Sequence, residues 1–387
     1  MKVAFRADAS LYIGSGHIAR CVTLAKELRR RGAEVTFVGT SRGIEAKVVP
    51  QHGYPLELID IAGLKRQGVA ATLRSLVRLP VAAWQALHLL RRLRPHGVVG
   101  VGGYASGPVV LLAALRGTPT VILEQNSVPG VTNRLLSRFA RIVVAAFPHA
   151  ERFFPPGKVE LLGNPIRRSV LREAAPPAEA IPPRAGGPVR VLVLGGSQGA
   201  RAVNELVVAA VEHWLKTPGA PPLAEVLSLR HQTGAAEHEK VAARYRELGL
   251  PESVARAEPF ITAMGEAYAA CDVMVGRAGA TTIAELTAVG RPALLIPFPQ
   301  AADDHQTQNA GYLVERGAAR LLVQAGTTPA QLAALLQELG RDPQALGRMA
   351  EACRALGRPD AAAVIAGRVL ELAGASAQAG LSERAGT

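Results

Sequence analysis

Two stretches of this chain follow one local plan, and that plan restricts the fold more than any other feature. In each, a short apolar run passes through a glycine-containing loop into a helix with one apolar face. The first is Lys2 to Arg6, then a loop, then a helix over about Ile18 to Arg31 with Ile18, Val22, Ala25 and Leu28 on one side. Arg29, Arg30, Arg31 and Gly32 close it. Cations favour the negative end of a helix, and glycine takes the left-handed turn that ends it. Glu34 to Val38 reads as the next strand. The second is Val189 to Leu194, then Gly195-Gly196-Ser197-Gln198-Gly199-Ala200, then a helix through Val208 and Val211. Strands then alternate with helices in both halves, the pattern of doubly wound parallel sheets.

A length of 387 residues suits two such domains. With 49% hydrophobic residues each half can bury a core, although aromatics are only 4% and Leu, Val and Ala must do most of the packing. Between the halves runs Pro176-Pro177-Ala178-Glu179-Ala180-Ile181-Pro182-Pro183-Arg184-Ala185-Gly186-Gly187-Pro188, a composition typical of linkers. The expected organisation is α/β throughout: a Rossmann-like domain over 1–170, a linker over 171–188, a second Rossmann-like domain over 189–372 and a loose tail over 373–387. Open sheets of this kind bind ligands beyond the carboxyl ends of their strands, so the two domains are expected to face a shared cleft.

Several classes of protein are disfavoured. Cys21, Cys271 and Cys353 have no CxxC spacing, which argues against a zinc ribbon or a disulfide framework and fits buried small apolar side chains. The start, Met1-Lys2-Val3-Ala4-Phe5, reads as a strand and not as a secretory leader. No apolar run reaches the ~18 residues of a membrane-crossing helix. The formal charge of +13 leaves nucleic acid, an anionic membrane or a phosphorylated substrate as partners. Its distribution favours a membrane surface. No acidic residue lies between Asp60 and Glu124, while Lys65, Arg66, Arg74, Arg78, Arg91, Arg92, Arg94 and Arg116 do. Leu73, Leu76, Val77, Val81, Trp84, Leu87 and Leu90 are interspersed, so the stretch 64–94 reads as a basic interfacial helix. The plainer alternative is a helix packed on a sheet with arginines as its solvated face.

Four segments carry the chemistry. Gly195 to Ala200 joins a strand to a helix, where backbone N–H groups and the Ser197 hydroxyl suit a phosphate. Arg277-Ala278-Gly279-Ala280-Thr281-Thr282-Ile283-Ala284-Glu285 is a second such turn, after a strand over Asp272 to Val275, and places Glu285 where a carboxylate can accept from ribose hydroxyls. Pro297 to Ala310 contains Asp303-Asp304-His305-Gln306, a polar loop after a buried strand. In the first half, Gly102-Gly103-Tyr104-Ala105-Ser106-Gly107-Pro108 and Glu124-Gln125-Asn126 follow strands, and Gly163-Asn164-Pro165-Ile166-Arg167 ends the domain. His17, in Gly14-Ser15-Gly16-His17, stands at the mouth of the first helix, where an imidazole can take a proton near neutral pH.

Together these motifs resemble the MurG family, the UDP-N-acetylglucosamine:N-acetylmuramyl-(pentapeptide) pyrophosphoryl-undecaprenol N-acetylglucosamine transferases. The resemblance runs from about Gly32 to Leu372 and rests on GTSRGIEAKVVP from Gly39, GYPLELIDIAGLK from Gly53, GGYASGP, EQNSVPGVTNRLL from Glu124, GNPIR, LGGSQGARAVNE from Leu194, EPFITAM from Glu258, RAGATTIAEL and DDHQTQNA from Asp303. It implies a GT-B fold and an inverting transfer of N-acetylglucosamine (GlcNAc) from UDP-GlcNAc to the muramyl 4-hydroxyl of lipid I, giving lipid II for peptidoglycan and the cell wall. It implies neither cofactor nor metal, with helix amino ends and arginine stabilising the departing UDP. Carried over by motif, Gly14, Ser15, Gly16, Asn126, Arg167, Ser197, Ile261, Ala280, Thr281, Thr282, Ile283, Ala284, Glu285 and Gln306 would contact the donor. Ile261 would read uracil through its backbone and Glu285 would hold the ribose. Tyr104 and Ser106 would lie on the acceptor side, and His17 would be catalytic. The stretch 64–94 matches the family's membrane-association region, which implies a peripheral protein on the cytoplasmic face of the cell membrane.

Residues 1–25 depart from this pattern. The family begins with a strand and GGTGGHxxPALALA, whereas here Arg6-Ala7-Asp8-Ala9-Ser10-Leu11-Tyr12-Ile13 leads into Gly14-Ser15-Gly16-His17. This segment resembles PseG, the UDP-sugar hydrolase of pseudaminic acid biosynthesis, which also places a catalytic histidine in such a loop. Two alternatives therefore accompany the transferase: a hydrolase in which His17 activates water, and an inactive UDP-sugar-binding homologue.

Overall fold

Parallel strands that are apolar along their whole length need helices on both faces, and both sheets of this chain have them. A computed structural model describes residues 1–6, 16–41, 43–59, 69–103, 107–174, 187–195 and 200–385, with backbone alone over 69–79 and 376–385. The chain divides into two units, Met1–Arg167 with Asp360–Thr387, and Arg168–Pro359.

The strands of the first unit are β1 (Lys2–Arg6), β2 (Glu34–Gly39), β3 (Leu56–Leu58), β4 (Gly97–Gly100), β5 (Thr120–Glu124), β6 (Ile142–Ala145) and β7 (Val159–Leu161). Its helices are α1 (Gly16–Arg30), α2 (Glu45–Gln51), α3 (Val69–Leu93), α4 (Gly107–Leu115) and α5 (Val131–Leu136). The second unit holds β8 (Val189–Leu194), β9 (Leu227–Gln232), β10 (Ala255–Glu258), β11 (Val273–Gly276), β12 (Ala293–Leu295) and β13 (Ala319–Leu321). Its helices are α6 (Arg168–Ala174), α7 (Arg201–Lys216), α8 (Leu223–Val226), α9 (His238–Glu247), α10 (Met264–Ala270), α11 (Ala280–Val289), α12 (His305–Val314), α13 (Pro329–Arg341) and α14 (Pro343–Ala355). A last helix, α15 (Ala361–Ala385), returns to the first unit.

The strand orders are β3-β2-β1-β4-β5-β6-β7 and β10-β9-β8-β11-β12-β13. Every pairing within them is parallel. In each sheet the winding reverses once, between β1 and β4 and between β8 and β11. At such a reversal the connections leave in opposite directions and open a crevice at the carboxyl ends of the strands. The two Rossmann-like sheets expected from the sequence are therefore present.

Local sequence explains the joins. Gly32 has φ +81°, and beyond it the Ala33 amide bonds to the Leu28 carbonyl at 3.1 Å, the closure that a left-handed glycine gives a helix. At Gly100 a Cβ would stand 2.8 Å from Val110 Cγ2, so only glycine lets α4 lie this close to β4. One face of the first sheet packs Val3, Phe5 and Val99 against Ile18, Leu24 and Leu28 of α1. The opposite face packs Ala4, Val98 and Ile122 against Ala86 and Leu90 of α3 and Val109 and Val110 of α4.

The expected boundary at Leu372 with a loose tail beyond it is corrected. Residues 361–385 form one helix, and its Ile365, Ala366 and Val369 sit in the first unit's core beside α1. Their spacing makes an apolar face that only the first sheet covers. At the other junction the units divide between Arg167 and Arg168, α6 belongs to the second unit, and 175–186 of the expected linker lie outside the described residues. Truncating Ile365 to alanine is expected to destabilise the first unit by about 2–4 kcal/mol. Hydrogen exchange should locate the loss in β1, β4 and α1, with the amides of β8 and β9 unaffected.

Candidate active site

At the reversal in the first sheet lie three segments that the sequence singles out. His17 lies in the first turn of α1, the helix that follows β1. Val101, Gly102 and Gly103 follow β4, and Gln125 and Asn126 follow β5. Gly102 and Gly103 have φ +89° and +86°, values that a side chain would strain, so the backbone can turn sharply here.

The side chains near these segments form two hydrogen-bonded groups. The His17 ring has Nε2 at 3.0 Å from the Gln125 side-chain amide and Nδ1 at 3.4 Å from Arg20 Nη2. Arg20 is buried and also donates to the Val101 carbonyl at 3.3 Å. Glu124, buried at the end of β5, accepts from the Asn126 backbone at 2.9 Å through Oε1 and from Asn133 Nδ2 at 2.8 Å through Oε2. Burial pushes its carboxyl above the usual range, opposed by those two donors and by the Arg20 charge. Burial likewise lowers Arg20, opposed partly by Glu124. Two buried opposite charges, Arg20 and Glu124, thus lie near His17 and Asn126, each partly offsetting the other's desolvation.

The second reversal lies between β8 and β11. Gly195 follows β8, and there a Cβ would meet the Ala200 amide and Asn204 Oδ1 at 3.0 Å and the Gln232 carbonyl at 3.1 Å. Asn204 Oδ1 bonds to His231 Nε2 at 3.0 Å, and His231 Nδ1 to the Tyr245 hydroxyl at 2.8 Å. Gln232 Oε1 accepts the Ile261 N–H at 3.0 Å. After β11, Gly279 leads into α11. Its Glu285 is buried and accepts from the Tyr268 hydroxyl at 3.2 Å. Arg277 donates to the Ile296 and Pro297 carbonyls, both at 3.0 Å, tying the β11 turn to the loop after β12. In that loop Gln306 accepts the Phe298 amide at 3.0 Å. Asp303 and Asp304 hold φ +52° and +50°, strained for residues with a side chain.

Of the residues expected from the sequence, Gly16, His17 and Asn126 stand together in the first unit. Arg167 is exposed at the end of that unit's first segment. Ile261, Gln306 and the run Ala280, Thr281, Thr282, Ile283, Ala284, Glu285 belong to the second unit. Gly14, Ser15, Tyr104, Ser106 and Ser197 lie outside the described residues. Sequence reasoning missed Arg20, Asn133, Gln232 and Tyr268. Arg20 carried a usable signal, since a cation three residues after His17 shares its helix face.

Within the basic stretch, Val69 to Leu93 form α3, which is kept on the sheet by Ala82, Ala86, Leu89 and Leu90. Val81 and Trp84 point outward, 53% and 66% exposed, as does Leu115 at the end of the adjoining α4. Arg92 pairs with Glu57, while the Arg91 side chain is exposed. Lys65 and Arg66 lie outside the described residues, as do the side chains of Arg74 and Arg78. Among the described residues no helix is long and apolar enough to cross a membrane.

Residues 11–145 match the Glycosyltransferase family 28 N-terminal domain and residues 190–365 its C-terminal domain. A protein of Anaeromyxobacter dehalogenans named UDP-N-acetylglucosamine--N-acetylmuramyl-(pentapeptide) pyrophosphoryl-undecaprenol N-acetylglucosamine transferase is 46% identical, covering 92% of this chain and 90% of its own length. The chain belongs to the MurG family. Its N-terminal match takes in the segment around Gly14 to His17, where the family's usual opening is altered. An identically named relative from Azotobacter vinelandii is 43% identical over 92% of this chain and 96% of its own. The solved MurG of Acinetobacter baumannii superposes with a TM-score of 0.77 at 31% identity, covering 96% of this chain and all of its own. The UDP-GlcNAc 2-epimerase of Neisseria meningitidis shares the fold at a TM-score of 0.64 and 12% identity, covering 96% and 100%.

The His231 network gives a measurable pH dependence. Burial pushes this imidazole from 6.5 down to about 3, so it stays neutral in the folded chain where an unfolded histidine charges. Between these values the unfolded state binds the extra proton, so stability falls as pH drops from 6.5 towards 3. His231→Gln should flatten this part of the profile by up to about 1.4 kcal/mol per pH unit, read from urea midpoints across the range.

Proposed function

We propose that this chain is an inverting glycosyltransferase that moves GlcNAc from UDP-GlcNAc to the muramyl 4-hydroxyl of lipid I, forming lipid II in peptidoglycan synthesis. The observation that carries this reading is 46% identity, over 92% of the chain, to a relative that bears the name of that transferase. The placement of polar groups supports it. The amino end of α11 receives the donor's diphosphate, with the N–H groups of Ala280 to Thr282 directed at negative charge. Glu285, oriented by Tyr268, meets the ribose hydroxyls. The Ile261 N–H is engaged by Gln232, which leaves its carbonyl for the uracil N–H. Gln306, Asn126 and Arg167 complete the donor contacts, with Arg167 as a permanent cation. Ser197 joins them from the β8–α7 loop, and Gly14, Ser15 and Gly16 from the loop before α1. Tyr104 and Ser106 belong to the acceptor side. His17 is the catalytic residue and meets the reacting oxygens.

Following UDP release with UDP-GlcNAc, in the presence and absence of a lipid I analogue, tests this reading. Release only with acceptor is expected. Release into water alone would instead identify a hydrolase, and none in either case an inactive homologue. His17→Ala should abolish release while UDP binding, read by calorimetry, changes little.

We also propose that the protein works at the cytoplasmic face of the cell membrane, held there by the basic stretch 64–94. Outward Val81, Trp84 and Leu115 insert among anionic headgroups, and exposed arginines such as Arg91 supply attraction. Losing a buried tryptophan should weaken binding roughly tenfold or more. Trp84→Ser is therefore expected to reduce co-sedimentation with phosphatidylglycerol vesicles while turnover of a water-soluble acceptor stays at the wild-type level.

A further inference from the structure

The two ring nitrogens of His17 face different partners, and one arrangement of hydrogens serves both. Nδ1 lies 3.4 Å from Nη2 of Arg20, and Nε2 lies 3.0 Å from the Gln125 amide. Arg20 sits one turn further along α1 and is only 2% exposed. The same Nη2 donates to the Val101 carbonyl at 3.3 Å, which pins the guanidinium to the end of β4. Arg20 Nε is buried and has no hydrogen-bond partner among the described residues. A guanidinium has donors and no acceptor, and it stays charged in proteins.

We propose that Arg20 is a positioning residue for the transfer: its guanidinium keeps the proton off Nδ1 and holds His17 as the neutral tautomer with hydrogen on Nε2. A hydrogen on Nδ1 would set two donors face to face beside a buried cation. Neutral imidazole carries one ring hydrogen, so it resides on Nε2. Nε2 is then a donor, and Gln125 must turn its Oε1 towards it. The two ends of such an amide are told apart only by the network they enter. Glu124, held by Asn126 and Asn133, supplies the negative charge that makes the buried guanidinium tolerable.

The inference rests on the reading of His17 as the residue that meets the reacting oxygens, and it alters what His17 brings to them. A general base must present a lone pair. In this arrangement Nε2 presents an N–H, and the remaining lone pair faces Arg20. A substrate oxygen that displaces Gln125 receives a hydrogen bond from an uncharged ring, no proton leaves His17, and the proton of the attacking hydroxyl goes to water as UDP departs.

The test uses the full-length chain with 15N-labelled histidine, and the His17 signals are assigned by their absence in His17→Gln. A pyrrole-type signal from Nε2 and a pyridine-type signal from Nδ1 are expected at neutral pH, without substrate. Arg20→Met should let the tautomers mix and average the two shifts, and Arg20→Lys, which restores a charged donor, should return them towards wild type. In turnover, Arg20→Met should lower kcat roughly tenfold to a hundredfold, with KM for UDP-GlcNAc little changed and partial recovery in Arg20→Lys. A pyrrole-type Nδ1 in the wild type overturns the proposal, and this spectrum stays readable should Arg20→Met fail to fold. Unchanged His17 shifts or unchanged kcat in a folded Arg20→Met overturn it as well. Because the spectrum is recorded without substrate, failure of the lipid I assignment leaves the tautomer result standing and is detected separately by UDP release.

Discussion

A parallel strand covered by helices on both faces can offer chemistry only at its ends. β4 and β5 are buried from first residue to last, so their polar work begins where the strands stop, at Gly102, Gly103, Gln125 and Asn126. The same constraint makes the residues just beneath those loops difficult to accommodate. Arg20 and Glu124 lie in a medium that opposes both charges. Neither would be retained alone at that depth, since an unpaired buried charge is strongly unfavourable. Here each charge partly offsets the other's desolvation, while Asn126 and Asn133 satisfy the carboxylate and Val101 accepts from the guanidinium.

The second unit solves the same problem with neutral groups. Tyr245, His231 and Asn204 form a chain that reaches Gly195 just after β8, and Gln232 bonds the Ile261 backbone. Neutral partners avoid the desolvation of ions, yet each still needs its hydrogen bond. The strain at Asp303 and Asp304 is confined to the loop above β12, in line with the tendency of strained backbone to gather at functional turns.

Much of this was legible in the sequence, for physical reasons that can be named. Continuous apolar runs such as Thr120 to Leu123 mark buried parallel strands, and Gly32 marks a helix end because little else tolerates its φ. The turns that carry His17, Asn126 and the run to Glu285 were legible because strand-to-helix turns are where these sheets must place polar groups. Arg20 was not, because arginine in a helix ordinarily reads as a solvated face and only the three-dimensional neighbours reveal its burial. Gln232 and Tyr268 were hidden for a similar reason: a lone amide at a strand end and a buried phenol announce nothing until their partners, Ile261 and Glu285, are in place. The last helix was misplaced because an apolar face tells that something covers it and not which sheet does so.

That helix has a consequence for how the protein is made. Its Ile365, Ala366 and Val369 close a core whose other walls, β1 and α1, leave the ribosome more than three hundred residues earlier in synthesis. Domains otherwise tend to fold in the order of their synthesis. Here the unit begun first is completed last, and the second unit, whose strands are contiguous in sequence, can settle while the first still exposes the groove that α15 will fill.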